Sequence, residues 1–136
     1  MENNTIVEFD KVINQCRGLF MMKSTDYGTS WRIMRTSSLT DQIYIKAARI
    51  RKIEESKEQK ISDSLESEYV GMINYSVMAI YQLSKGTSNK DNNISNVRDL
   101  FDSIIKENKE LLSNKNHDYD KESTTNKSKA RTKTDY

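Results

Sequence analysis

Apolar residues recur with the 3.6-residue period of an α-helix in four separate segments of the chain. This pattern predicts helices over residues 5–23, 39–58, 63–85 and 95–113. No segment alternates between apolar and polar residues for long enough to predict a strand. Four helices of this length joined by short loops are typical of an antiparallel bundle, so we predict an all-α fold.

The third predicted helix ends at a glycine. Gly86 follows the last periodic residues and predicts a helix stop, because glycine readily adopts the left-handed conformation found there. The side chains predicted to face inward are Leu65, Tyr69, Met72, Ile73, Ser76, Val77, Ile80 and Leu83.

Residues 24–37 interrupt the helical pattern with serine, threonine, aspartate and glycine, so they predict a loop with one helical turn at about 31–34. Arginine can bind phosphate through paired hydrogen bonds, an aromatic ring can stack on a base, and glycine allows close approach. The alternative is that Trp31 and Tyr27 close the end of the bundle while the arginines stay solvated. The candidate nucleotide-binding residues here are Lys23, Asp26, Tyr27, Gly28, Trp31, Arg32 and Arg35.

The second predicted helix carries a basic face. Lys46 and Arg49 are three residues apart and therefore lie on the same side of the helix, where they are candidates for phosphate binding. The alternative is an exposed charged face that pairs with nearby glutamates.

Acidic residues cluster around the junction of the second and third predicted helices. Glu54, Glu55 and Glu58 end one helix, and Asp63 begins the next. Carboxylate oxygens of this kind suit Mg²⁺ that holds substrate phosphates, so these four residues are a candidate Mg²⁺ site. The alternative is an ordinary charged surface, in which the acids at a helix start favour the helix dipole.

Composition narrows the function classes. The chain has 136 residues, enough for one domain, and its 35% hydrophobic and 31% charged content predicts a thin core. A net charge of +2 gives no strong nucleic-acid signature. One cysteine and one histidine exclude a metal site built from these residues. We expect a cytoplasmic protein without membrane contact, because there is no leader pattern and no apolar run of about 20 residues.

A short string occurs twice in the chain. Lys23-Ser-Thr-Asp-Tyr-Gly follows the first apolar helix, and Lys115-Asn-His-Asp-Tyr-Asp follows the fourth. We therefore expect residues 1–118 to form a helical domain that contains one unit and the start of a second. Residues 119–136 are almost free of large aliphatic side chains, which predicts a disordered polar tail or a truncated second unit.

Three strings in the chain resemble the nucleotide modification associated domain 1 family. They begin at Lys23 (Lys-Ser-Thr-Asp-Tyr-Gly-Thr-Ser-Trp-Arg), at Ser38 (Ser-Leu-Thr-Asp-Gln-Ile-Tyr-Ile-Lys-Ala-Ala-Arg-Ile-Arg) and at Gly71 (Gly-Met-Ile-Asn-Tyr-Ser). The resemblance covers about residues 5–119. It implies a small helical protein, and its bacterial members often carry two such units in tandem.

More distantly, the pattern is similar to the all-α nucleoside triphosphate pyrophosphatases, the MazG-like group. Glu54-Glu-Ser-Lys-Glu58 resembles their Glu-Glu-x-x-Glu motif. Glu68-Tyr-Val-Gly71 stands where they have Glu-x-x-Asp, with glycine in place of the aspartate. The resemblance implies nucleotide binding and, if the chain is active, Mg²⁺-dependent nucleotide pyrophosphohydrolysis. The glycine implies weak or no activity for this chain alone. The catalytic residues stay unassigned.

A second hypothesis is that the protein has a non-catalytic function. A single helical unit with part of a second would leave apolar surface exposed, and a second copy of the chain could cover it. The alternative function is therefore a helical protein-interaction module that forms a homodimer.

Overall fold

A computed structural model describes residues 4–56, 62–90 and 94–125 of the chain. These residues form four α-helices and one short 3₁₀-helix, and the described part contains no strand, which confirms the all-α prediction. In chain order, the elements are α1 (Asn4–Tyr27), the 3₁₀-helix η1 (Ser30–Ile33), α2 (Thr36–Glu55), α3 (Ser62–Lys85) and α4 (Ile94–Thr125).

The chain divides into two compact units. The first unit, Met1–Ile105, contains α1, η1, α2, α3 and the start of α4. The second unit, Lys106–Tyr136, contains the remainder of α4. None of the described helices combines the length and the apolar character needed to cross a membrane.

The core of the first unit lies between α1, η1, α3 and the start of α4. The ring of Phe20 lies 5.0 Å from the ring of Phe101 and 6.3 Å from the ring of Trp31, measured between centroids. Burying these large rings removes apolar surface from water, which is the dominant favourable term in folding. The buried members of this cluster are Cys16, Phe20, Trp31, Val70, Val77, Val97, Leu100 and Phe101.

The second helix packs mainly along α3. Leu39 and Ile50, near the two ends of α2, are its buried apolar residues. Lys46 and Arg49, which lie between them in the sequence, contact Glu68 of α3.

The first helix is longer than the sequence pattern predicts. It continues to Tyr27, so Asp26 and Tyr27 lie on the helix and their placement in a loop was wrong. Thr25 stays helical, and its hydroxyl donates a hydrogen bond to the Met21 carbonyl at 3.0 Å. The helix ends where Gly28 adopts a left-handed conformation, φ 69°, and its N–H bonds to the Ser24 carbonyl at 2.9 Å. The predicted helical turn at 31–34 is confirmed as η1.

The fourth helix also extends beyond its predicted end at residue 113. It continues to Thr125, so residues 119–125 are helical. The division at residue 118 into a helical domain and a disordered tail or truncated second unit stays a prediction. The segment from Ile94 to Thr125 contains neither proline nor glycine, so no residue in it breaks a helix. Residues 126–136 lie outside the described part of the chain.

The buried face of the third helix matches the predicted one only in part: Val77 is buried and Ile73 packs against the core. Tyr69, Ile80 and Leu83 of the predicted stripe are 49%, 41% and 72% exposed. The polar residues Asn74 and Gln82 are buried instead, since each hydrogen-bonds to main-chain carbonyls of a neighbouring segment. The predicted stop at Gly86 is confirmed: its φ is 75°, and its N–H donates to the Gln82 carbonyl at 2.8 Å.

Candidate functional site

Trp31 is a core residue. It is 8% exposed, and its ring meets the rings of Phe20 and Tyr81 edge-on, at centroid distances of 6.3 and 5.9 Å. Aromatic pairs favour this edge-to-face arrangement. Its position matches the alternative in which this side chain closes the bundle, and it leaves Trp31 without an exposed ring face for a base.

Arg32 is buried beside Trp31, with 7% of its surface exposed. Its Nη1 donates hydrogen bonds to Oε1 of Gln82 and, at 2.6 Å, to the Gly86 carbonyl. The guanidinium carbon lies 4.8 Å from the centre of the Tyr81 ring. The carbonyl end of α3 and the aromatic face both favour a cation at this position.

Gln82 both accepts and donates hydrogen bonds that connect the end of α3 to η1 and the residue after it. Its Nε2 donates to the carbonyls of Arg32 at 2.9 Å and Met34 at 2.7 Å. The N–H of Ser88 donates to the same Arg32 carbonyl at 2.7 Å. The expectation that Arg32 is solvated was therefore wrong. The guanidinium of Arg32 hydrogen-bonds to protein groups. A phosphate-binding role for Arg32 stays a prediction.

The other candidates around η1 are more accessible. Lys23, Asp26 and Tyr27 are exposed on the last turns of α1, and the Tyr27 side chain is 74% exposed. The alternative that Tyr27 closes the bundle was therefore wrong. Arg35 is exposed at the start of α2, where it occupies the N-cap position without a side-chain cap hydrogen bond. Gly28 joins these elements and is partly buried.

The basic face of α2 meets a carboxylate of α3. Nζ of Lys46 lies 3.0 Å from Oε1 of Glu68, and Nη1 of Arg49 lies 3.8 Å from the same oxygen. The Lys46 and Glu68 side chains are 21% and 16% exposed, while that of Arg49 is 57% exposed. Two cations therefore share one carboxylate in a half-buried setting, and the cluster carries a net positive charge.

Gly71 lies one turn after Glu68 on α3, and the Lys46 side chain passes over it. A Cβ atom at position 71 would come within 2.9 Å of Cε and 3.4 Å of Cδ of Lys46. Because Gly71 has no side chain, the Lys46 side chain can run across this part of α3 to reach Glu68. The sequence analysis noted that Gly71 stands in place of an aspartate, but it did not link Gly71 to Lys46.

The predicted nucleotide-binding residues form two separate groups. Arg35 begins α2, and Arg49 is fourteen residues further along the same helix. A rise of 1.5 Å per residue separates their backbones by about 21 Å. The structure brings Lys46 and Arg49 of α2 together at Glu68 of α3, and it leaves Lys23, Tyr27 and Arg35 near η1.

The carboxylates predicted to bind Mg²⁺ do not come together within the described residues. Glu54 and Glu55 are exposed, and Oε2 of Glu55 lies 3.9 Å from Nη2 of Arg51. Glu58 and the side chain of Asp63 lie outside the described residues. The described part contains no group of three or more histidine, cysteine, aspartate or glutamate residues that could hold a metal ion. The Mg²⁺ site stays a prediction.

Cys16 is fully buried in the core, and burial raises the pKa of its thiol. A thiol needs a lowered pKa and access to substrate to act as a nucleophile, so Cys16 is a packing residue.

Comparison with known proteins adds one finding. Residues 23–83 match the family model described as nucleotide modification associated domain 1. The match covers a little under half of the chain and includes both groups of candidate residues, so it supports the family resemblance. No curated protein and no solved structure matches the chain.

Proposed function

We propose that the protein binds a nucleoside phosphate on the face formed by α2 and α3, with Lys46 and Arg49 as the phosphate-binding residues. The observation that supports this proposal is the cluster of two cations around the single carboxylate of Glu68. The description of the matched family, nucleotide modification associated, supports a nucleotide as the source of the phosphate.

The chemistry of the cluster suits a phosphate group. Arg49 is the more exposed cation, and its planar guanidinium can donate two parallel hydrogen bonds to phosphate oxygens. Lys46 adds a second positive charge in a partly buried position, where electrostatic attraction is screened less by water and salt than at the surface.

In this proposal the base of the nucleotide contributes less to binding than its phosphates do. Trp31 is buried, and Tyr27 belongs to the other group of candidates, near η1. We therefore expect affinity to depend on the number of phosphates more than on the identity of the base. The four common deoxynucleoside triphosphates should bind within a few-fold of one another.

We propose binding without hydrolysis. The carboxylate of Glu68 is already neutralised by Lys46, and Gly71 supplies no carboxylate beside it. The only carboxylate of this cluster is therefore paired with a cation, and the position one turn further along α3 adds no second one to act on a phosphate ester.

Isothermal titration with a deoxynucleoside triphosphate tests the proposal. Arg49→Ala should weaken binding about tenfold or more, which corresponds to about 1.4 kcal/mol. Arg51→Ala is the matched control, because it removes the same charge from the same helix at a side chain that is 80% exposed. No binding by the wild-type protein at millimolar nucleotide would overturn the proposal, as would equal effects of the two substitutions.

A second candidate function is self-association, and the exposed face of α3 favours it. Tyr69, Ile80 and Leu83 lie on this face at helical spacing. Ser76, between them, donates its hydroxyl to the Met72 carbonyl at 2.8 Å, so its polar group is satisfied within the helix. A second copy could pack its own α3 on this apolar face.

Sedimentation velocity separates the two functions. If α3 is a dimer interface, the protein should form a dimer at micromolar concentration, and Leu83→Lys should make it monomeric. Leu111→Lys is the control, since Leu111 is similarly exposed, at 63% against 72%, but lies on α4. A wild-type monomer at all concentrations would rule out self-association.

A further inference from the structure

The phosphate site proposed above already contains a cation of its own. We propose that the ammonium group of Lys46 takes the place of a divalent metal ion beside Glu68, so that the site binds phosphate without a metal. This inference rests on the proposed function, and it concerns how the charge of the bound phosphate is balanced.

The surroundings of Glu68 do not fit Mg²⁺. This ion requires a near-octahedral shell of oxygen ligands, usually one or two carboxylates completed by water and phosphate. Oε1 of Glu68 instead has Lys46 Nζ at 3.0 Å and Arg49 Nη1 at 3.8 Å. A divalent ion at this oxygen would meet two positive groups, and the ammonium group would have to leave first.

The absence of a side chain at Gly71 leaves the space on α3 along which the Lys46 side chain runs. The Lys46 side chain lies where any side chain at position 71 would stand, with Cε at 2.9 Å from the Cβ position. An aspartate at position 71, which would give the site a second carboxylate, would therefore occupy the path of the lysine. The glycine and the lysine are two parts of one arrangement.

The charges are also equivalent. Glu68 with Lys46 and Arg49 carries the same net charge of about +1 that one carboxylate would carry with one divalent cation. A phosphate group therefore meets a comparable electrostatic attraction in either case. The arrangement differs in that its cations are covalently part of α2 and need no metal from solution.

Titration with a deoxynucleoside triphosphate in EDTA and in millimolar Mg²⁺ tests the inference without any variant. We expect affinity in EDTA to equal or exceed that in Mg²⁺, because Mg²⁺ bound to free nucleotide reduces the charge that the protein recognises. Binding that is tenfold weaker in EDTA would overturn the inference and leave the proposed function intact. No binding in either buffer would overturn both.

A second experiment uses Mn²⁺ alone, so it does not depend on nucleotide. The electron paramagnetic resonance signal of free Mn²⁺ should be unchanged by the wild-type protein. The double variant Lys46→Ala/Gly71→Asp should bind Mn²⁺, because it removes the nearer cation from Glu68, makes room at position 71 and adds a carboxylate one turn away. Lys52→Ala/Gly71→Asp is the control that keeps Lys46, and it should bind Mn²⁺ at least tenfold more weakly.

Two results of the Mn²⁺ experiment would contradict the inference. One is Mn²⁺ binding by the wild-type protein that Glu68→Gln abolishes. The other is a folded Lys46→Ala/Gly71→Asp variant, checked by its helical circular dichroism, that binds no more Mn²⁺ than the control. Either result would show that Lys46 does not hold the place of a metal ion.

Discussion

At the scale of single residues, Gly71 and Lys46 depend on each other. The glycine leaves room for the lysine side chain, and the lysine in turn brings a positive charge to Glu68. Arg32 is the other residue whose surroundings define its role, because its guanidinium is buried among the groups of η1 and α3. Both arrangements predict measurable effects of single substitutions.

Gly71→Ala should weaken phosphate binding while leaving the fold intact. Alanine raises helix stability by about 0.5–1 kcal/mol relative to glycine, but here its Cβ displaces the flexible end of Lys46 from Glu68. We expect a several-fold loss of nucleotide affinity in titration. Gly18→Ala is the control, since nothing lies within 4 Å of its Cβ position, and it should leave affinity unchanged. Unchanged affinity in Gly71→Ala would contradict the role given to the glycine.

Arg32→Ala should destabilise the protein by about 2–4 kcal/mol, because it leaves Gln82 Oε1 and the Gly86 carbonyl without their donor and empties a buried space. Urea unfolding measures this loss. Arg35→Ala removes an exposed arginine three residues away and should change stability by about 0.5 kcal/mol or less. Equal effects of the two substitutions would mean that the buried contacts of Arg32 do not stabilise the fold.

At the scale of helices, the ends and the faces differ in how well the sequence predicts them. The 3.6-residue period identifies all four helices because each must bury an apolar stripe. Their ends depend on local hydrogen bonds: α1 passes through Ser24 and Thr25 and stops only at Gly28. The buried face of α3 includes Asn74 and Gln82, whose partners lie on other elements. The contact of Lys46 with Gly71 is likewise tertiary, so the sequence pattern contains no sign of it.

The end of α3 allows a test of its glycine stop. Gly86 has a φ of 75°, a conformation that costs other residues about 1–2 kcal/mol, and no atom lies within 4 Å of its Cβ position. Gly86→Ala should therefore lower the free energy of unfolding by about 1 kcal/mol through the backbone alone. Gly18→Ala, within α1, should raise it. The same sign for both substitutions would contradict this account of the stop.

A salt bridge between α1 and α4 gives the fold a pH dependence at low pH. Nε of Arg17 lies 2.7 Å from Oδ1 of Asp102, and its Nη2 lies 3.0 Å from Oδ2. The hydrogen bond from Arg17 holds the pKa of Asp102 below its ordinary value of 3.8. A lowered carboxylate pKa stabilises the folded state above the ordinary value, and the stabilisation is lost as the pH falls through the lowered pKa.

Asp102→Asn should therefore lower stability at pH 7 by about 0.2–1 kcal/mol, a small value because the Asp102 side chain is 50% exposed. The difference from wild type should vanish well below pH 3.8. Urea unfolding at pH 7 and at a pH well below 3.8 measures this difference in stability. Asp99→Asn, which changes another exposed aspartate of α4, is the control. A difference that persists at low pH would have to come from something other than the salt bridge.

At the scale of the whole molecule, the net charge is small, but charge is unevenly distributed among the candidate residues. The chain carries a net charge of +2, yet the candidate phosphate-binding cations lie in two groups about 21 Å apart along α2. Near η1, Arg32 is committed to structural hydrogen bonds, while on α2 and α3 a carboxylate positions two cations. This division is the reason for placing the phosphate on the α2 and α3 face.

The most direct test of that placement is to map a bound nucleotide by amide chemical shifts in solution. On titration with a deoxynucleoside triphosphate, we predict progressive shifts for the amides around Lys46 and Arg49 of α2 and around Glu68 of α3, with small changes at residues 23–35. Shifts confined to residues 23–35, or no shifts at millimolar nucleotide, would contradict the central claim.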